Sequence, residues 1–504
     1  MAQADSPRSL LFVVLPNVNV WNTDDPGSSQ SFMRSASRMA VRGAVAAQSA
    51  GKGPARPAAI HASAALDRVA PNDTVLLSLD QAQRLALQRE YPGLRIVPVT
   101  RLAPLWLRRI DVSPVMGAAS GRKQTLEVEV VDAASGKPLA GVDVVGFTDR
   151  AERVGNTGRT NAKGIARLAF PAGVKSLESV EAIPESGYWP AYVRRVPLSD
   201  GRARLQCPPI DLAAPDIRGH FGLVGEDADG RGVKVGVIDT GVSRHADLHV
   251  RRGRNVVKGE PPADVTDHVG HGTHVAGIIA GRGKPGRGVR GVAPGVDLHA
   301  YKVFGKEEET ASSFHIAKAI RMAVDDGCDL INLSLGGDSE VPDVLREIQR
   351  ARAMGVACIA AAGNDYRSAV DYPGRYSQVI AVSAGGRKGA YPAHAAQVLS
   401  AEKPFGTDPK DYVADFSNVG SEIGLIGPGV GIVSTYPGGY AVMDGTSMAC
   451  PAIVGAAARL LARSPRILGM GRNQNRSDAV VKMALDAARP LGLGASFEGA
   501  GILV

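Results

Sequence analysis

Val233-Lys-Val-Gly-Val-Ile-Asp-Thr-Gly241 decides how this 504-residue chain is read. Residues 233–238 form a short, mainly apolar run and Thr240-Gly241 stops it in a turn, so the pattern predicts a buried strand that carries Asp239 to the edge of a sheet. Taken alone, Asp-Thr-Gly is also ordinary turn material. Further apolar runs at 298–303, 330–334, 356–361 and 379–383 alternate with helical stretches near 271–280, 312–325 and 341–354. That alternation predicts an α/β unit: a parallel sheet with helices on both faces and its chemistry at the carboxyl ends of the strands.

Two downstream segments give Asp239 a role. His271-Gly-Thr-His-Val-Ala-Gly opens a helix, and Gly445-Thr-Ser-Met-Ala holds Ser447 in a tight turn before the apolar stretch 452–462. A serine hydroxyl is a weak nucleophile, so it needs an imidazole to take its proton and a carboxylate to fix the imidazole tautomer. Ser447, His271 and Asp239 are the candidates. Ser447 is expected at a helix N-terminus, where backbone N–H groups favour developing negative charge. Pro451 is expected in the first helical turn, where its missing N–H costs nothing. Asn364, after Ala361-Ala-Gly at a strand end, is the candidate second oxyanion donor, although Asn-Asp is also common turn sequence. His268, His271 and His274 invite a metal reading, but without an HExxH arrangement His271 is assigned as base and the other two as structural, with no metal. Cys450, three residues from Ser447, is read either as a thiol-reagent target or as a packed hydrophobe.

Val237-Ile-Asp-Thr-Gly-Val, His271-Gly-Thr-His-Val-Ala-Gly, Ala361-Ala-Gly-Asn and Gly445-Thr-Ser-Met-Ala, in that order, resemble the subtilase family of serine endopeptidases over residues 216–504. The resemblance implies a subtilisin-like fold, peptide-bond hydrolysis through an acyl-enzyme, no cofactor, and a protein or peptide substrate whose backbone pairs with Ser334, Leu335, Gly336 and Gly337. Residues 73–96 look like part of a subtilase inhibitor prodomain, which implies a self-processed zymogen whose own N-terminal region is an intramolecular inhibitor. Two departures stand out. The loop Gly281-Arg-Gly-Lys-Pro-Gly-Arg-Gly offers cations where relatives often bind calcium, and residues 385–415 are long enough to form a loop beside the leaving-group side of the cleft.

The expected organisation is three units. Residues 1–112 form a prodomain-like α+β unit, with strands at 10–15, 74–77 and 94–99 and a helix at 79–90 opened by a Ser78/Gln81 capping box. An acid-free insertion at 26–66 carries Arg34, Arg38 and Arg42 on one helix face; an acidic partner is one reading and a solvated face the commoner one. Residues 113–212 read as a small antiparallel β-sandwich, Ig-like or carboxypeptidase-regulatory-like, serving as a spacer or a partner-binding module. Residues 213–504 form the catalytic unit.

Composition excludes other classes. A net charge of +8 without an aromatic-interleaved basic stripe gives nucleic acid little to bind, and no apolar run approaches a membrane span. Four cysteines without CxxC spacing argue against disulfides or structural zinc. Met-Ala-Gln-Ala-Asp-Ser-Pro-Arg does not read as a secretory leader, so the expected location is cytoplasmic, with non-classical export as the alternative.

By the same resemblance Asp371 and Asp365 border the specificity pocket, with Glu307, Glu308 and Glu309 nearby. These acids would favour Lys or Arg before the cut, making Arg108-Arg109 and Arg194-Arg195 processing candidates. Solvated surface acids are the competing reading. The contrasting functional class is a latent protease-fold scaffold that acts through its sandwich.

Overall fold

The computed structural model describes residues 10–15, 65–70, 73–90, 94–115, 123–214 and 216–504. Most of the basic insertion, with Arg34, Arg38 and Arg42, lies outside the described residues.

Lys234–Asp239 runs between Asp297–Lys302 and Leu330–Leu333 inside a nine-stranded sheet. Val250–Asn255 closes one side, and Ala357–Ala361, Val379–Arg387 and Ile423–Pro428 continue the parallel array on the other. Both faces are covered, which is why the strand reads apolar throughout. Val235 and Val237 enter a core with the helices His271–Ala280 and Thr446–Ala462, whereas Ile238 enters a second core with Ser313–Asp325 and Pro342–Ala353. The long connection differs from expectation. Asp411–Ala414 pairs antiparallel with Val379–Arg387 and Ala401–Phe405 antiparallel with Asp411–Ala414, so part of it extends the sheet edge.

The N-terminal unit is a four-stranded antiparallel sheet, ordered Ala65–Arg68, Val75–Leu79, Leu10–Leu15, Arg95–Pro98, with the helix Gln81–Glu90. Its strand extends through Leu79, which moves the capping box two residues on from Ser78/Gln81. Gln83 N–H donates to Asp80 Oδ1 and Asp80 N–H to Gln83 Oε1, both at 2.8 Å. Asp67 pairs with Lys318 at 2.6 Å, and Asp73 pairs with Arg321 and Arg346 at 3.1 Å each, tying this sheet to two helices of the catalytic unit.

Residues 113–115 and 123–207 form a sandwich of a three- and a five-stranded sheet around Leu126, Val144, Phe170 and Val180. It is mixed rather than antiparallel throughout: Arg202–Cys207 pairs parallel with Lys123–Asp132, and Ser113–Pro114 parallel with Val154–Arg159. Between the first two units the chain takes an unexpected path. Arg101–Pro104 inserts between Ala311–Ser312 and Leu335–Gly336 of the catalytic unit, antiparallel to both. Among the described residues, no helix is long and apolar enough to cross a membrane.

Candidate active site

Asp239 ends its strand 1 % exposed; its Oδ1 accepts from the Thr240 N–H and from His271 Nδ1, each at 2.7 Å. A buried carboxylate on Nδ1 fixes the tautomer that leaves Nε2 as the base. His271 Nε2 is buried and has no hydrogen-bond partner among the described residues. The helix carrying it is held by a residue the motif reading missed. Asp267 accepts from the N–H groups of Gly270 and Thr273 at 2.7 and 2.8 Å and from the Thr240 hydroxyl at 2.9 Å, joining the helix start to the Asp239 turn. An aspartate three residues before the helix-capping Gly270 was the available signal.

The other two histidines have separate surroundings. His274 is buried with Nε2 3.1 Å from the Ile432 carbonyl and 3.2 Å from that of Ala441; burial first, then His271, depress its pKa to about 3, so it is neutral. His268 is exposed.

Ser447 stands in the first turn of Thr446–Ala462. Pro451 is therefore inside the helix rather than at its start, and the Ser447 carbonyl loses its usual donor. The Ser334 hydroxyl replaces it at 3.1 Å. The Ser447 hydroxyl donates to the Ser334 carbonyl at 2.8 Å, not to His271, so completing the relay requires rotation about the serine side chain. Cys450 is fully buried and burial raises its pKa, which makes it a packed thiol rather than a reactive one.

The cleft is filled by the chain itself. The Leu105 carbonyl accepts from the Ser447 N–H at 3.0 Å, the Leu105 N–H donates to the Ser334 carbonyl at 3.2 Å, and the Leu107 N–H donates to the Asp444 carbonyl at 2.8 Å. Ala103 opposes Gly336 and Pro104 opposes Leu335. The seated peptide bond is thus Leu105–Trp106, and neither Arg108-Arg109 nor Arg194-Arg195 occupies that position. A Cβ on Gly445, at φ 149°, would lie 2.7 Å from the Leu105 carbonyl, so only glycine admits the peptide there. Asn364 Oδ1 accepts from the Thr446 N–H at 2.9 Å and the Thr446 hydroxyl at 3.0 Å, leaving Nδ2 a buried donor with no partner among the described residues.

The Leu105 side chain packs over Gly336, where a Cβ would approach Leu105 Cδ1 to 2.8 Å and Asp371 Cβ to 3.2 Å. Asp371 is buried beside it; burial, then Asp365, push its carboxyl up to about 7. Tyr372 and Gly337 exchange backbone hydrogen bonds and close this wall. Glu308 pairs with Arg101 and Glu309 with Arg108, both at 3.2 Å, while Asp365 is exposed.

Past the seated bond the sandwich joins the site. The Arg109 guanidinium is 4 % exposed, 2.8 Å from Asp444 and 3.2 Å from Glu181. Burial opposes its charge, but the two carboxylates outweigh burial and hold it above the ordinary arginine value. Gln397 of the long connection donates to Asp444 at 3.0 Å. No sequence pattern flagged Leu105 or Glu181, and Arg109 was read only as half of a dibasic processing candidate.

A model described as the subtilase family matches residues 230–495. The chain is 40% identical over 237 residues to subtilisin BL of Lederbergia lenta, covering 47% of this chain and 78% of that one. It is 39% identical over 244 residues to subtilisin DY of Bacillus licheniformis, covering 47% of this chain and 80% of that one.

Proposed function

The chain belongs to the subtilase family and is a serine endopeptidase, and on that premise we propose that Ser447, His271, Asp239 and Asn364 carry the reaction and that the chain first cuts its own Leu105–Trp106 bond. The observation that carries this reading is the Leu105 carbonyl resting on the Ser447 N–H at 3.0 Å.

Ser447 Oγ turns from the Ser334 carbonyl, gives its proton to His271 Nε2 and adds to the Leu105 carbonyl carbon. Charge then develops on an oxygen already held by the Ser447 N–H, and Asn364 Nδ2 supplies the second donor. Asp239, bonded to Nδ1, stabilises the imidazolium. As the Leu105–Trp106 bond breaks, His271 returns the proton to the Trp106 nitrogen, and water attacking the ester releases the Leu105 carboxylate. In the uncut chain residues 101–105 fill the acyl side, so the N-terminal unit is an intramolecular inhibitor and the protein a zymogen. Its ion pairs through Asp67 and Asp73 keep it docked.

A second reading concerns substrates. Asp371 beside the pocket favours Lys or Arg before the cut once ionised, and Leu when protonated, so preference turns over near the pKa of about 7. A silent scaffold is not favoured for a chain of this family.

N-terminal sequencing tests the processing reading. Wild type is expected to yield Trp106 as a new N-terminus and Ser447→Ala to stay whole; cutting at Arg109 or Arg195, or in Ser447→Ala, overturns it.

A further inference from the structure

The two halves of the seated peptide belong to different units. Residues before the bond are continuous with the N-terminal sheet; residues after it run into the sandwich at Ser113–Pro114. Cutting Leu105–Trp106 breaks no contact of the second half. Arg109 keeps Asp444, Glu181 and the Ser400 hydroxyl. Glu181, 1 % exposed on the sandwich strand Ser176–Ile183, is held in turn by Arg150, which also reaches Asp415 of the catalytic unit at 3.3 Å. From the other side the sandwich residue Arg153 donates to the backbone carbonyls of Arg108 at 2.8 Å and Arg109 at 3.3 Å, and to that of Asp111. The Trp106 ring lies 5.7 Å from the His271 ring, edge to face.

We propose that the groove shared by the sandwich and the catalytic unit on the leaving-group side is a retention site for the chain's own new N-terminus, so that residues 106–109 stay seated after the cut. This rests on the processing reading above. The site takes a short peptide with a free N-terminal amine and an arginine three residues later, which the buried Glu181–Asp444 pair recognises and the Arg153 fork fixes along its backbone. The sandwich is then neither a plain spacer nor a docking module for another protein; it holds the primed end of the cleft shut against substrates in trans. Its occupant is tethered and its charge contacts are fully desolvated, so an incoming peptide competes with a high local concentration of the native segment. A cavity of about 360 Å³ between this segment and Arg159, Glu185, Tyr436 and Met443 gives the segment room to shift without leaving. A mature enzyme of this kind favours acyl donors that end near the cut over chains that span the cleft.

The test uses full-length protein after self-processing, freed of the 1–105 fragment, with the new terminus confirmed by intact mass. Two substrates share the same four residues before the cut: a peptide methyl ester, and a quenched fluorogenic peptide continuing four residues beyond. The readout is the ratio of kcat/KM for the quenched peptide to that for the ester, so any loss common to both cancels. Release of a tethered competitor predicts that Arg109→Ala raises this ratio by about fivefold or more over wild type. Arg153→Ala removes the backbone fork together with the Arg153–Tyr366 contact, leaves Arg109 and its carboxylates in place, and carries the same comparison if Arg109→Ala fails to fold. A smaller change in every variant that folds overturns retention while leaving the processing reading intact. A chain that stays whole, or is cut elsewhere, overturns both.

Discussion

The acyl and leaving-group halves of the cleft hold one continuous peptide by different physics. Before the bond, Arg101–Pro104 is held by main-chain pairing to strands on either side, and the Arg101–Glu308 ion pair is 45% and 41% exposed. Beyond it, the anchor is Arg109 between carboxylates 1% and 3% exposed. A ladder of backbone bonds holds any extended sequence and yields when another chain offers the same bonds. A desolvated arginine demands one side chain and is costly to vacate, because leaving strips buried Asp444 of its cation and leaves Glu181 to Arg150 alone. One half is therefore built for exchange and the other for permanence.

Four variants sharpen or break that contrast. The largest effect is expected at the junction of the halves, where Asn364→Ala removes one oxyanion donor. Turnover should fall about 100- to 1,000-fold, the magnitude established for subtilisin itself, with KM little changed because neither half loses its hold. A rise in KM that accounts for the loss would make Asn364 a seating residue instead. Next come the charges. Glu181→Gln in the uncut Ser447→Ala background breaks a buried pair and should lower unfolding stability by about 3–5 kcal/mol. Glu308→Gln in the same background should cost less than about 1 kcal/mol, since its pair is solvent-screened. Equal losses in denaturant titrations of the two would erase the distinction. The smallest effect is pH-dependent. With its folded pKa raised to about 7, Asp371 is protonated in the native state at pH 5 and ionised at pH 8.5. Cleavage of Arg over Leu peptides should rise across that interval in wild type and stay flat in Asp371→Asn. The same carboxyl binds its proton more tightly folded than unfolded, so its contribution to stability is full below about pH 4 and is lost as pH rises to about 7. Thermal melts should therefore show Asp371→Asn gaining on wild type as pH increases.

Much of the catalytic unit was legible because its strands announce themselves locally. Residues 233–238 read as a buried strand, and the strand is Lys234–Asp239. The apolar runs and helices around it fall within a few residues of their expected positions. Asp239 and His271 could be brought together because each follows a recognisable terminus. The peptide in the cleft was invisible for the opposite reason: Arg101–Pro104 pairs with residues more than two hundred positions away, and no local period records such a partner. Arg109 read as half of a dibasic site because its carboxylates come from two other units. The misplaced cap and Pro451 are smaller instances. Leu79 extends the strand because its side chain is fully buried, and Pro451 is tolerated because the Ser334 hydroxyl replaces its missing donor.

Ala311–Ser312 and Leu335–Gly336 flank the segment between them in one three-stranded sheet. In the processing proposed above, departure of that segment leaves both as unsatisfied sheet edges facing one slot, the kind of surface proteins elsewhere shield because it recruits stray chains. Under that proposal the emptied site is a sheet missing its middle strand, and an extended peptide entering it restores the pairing that Arg101–Pro104 now supplies.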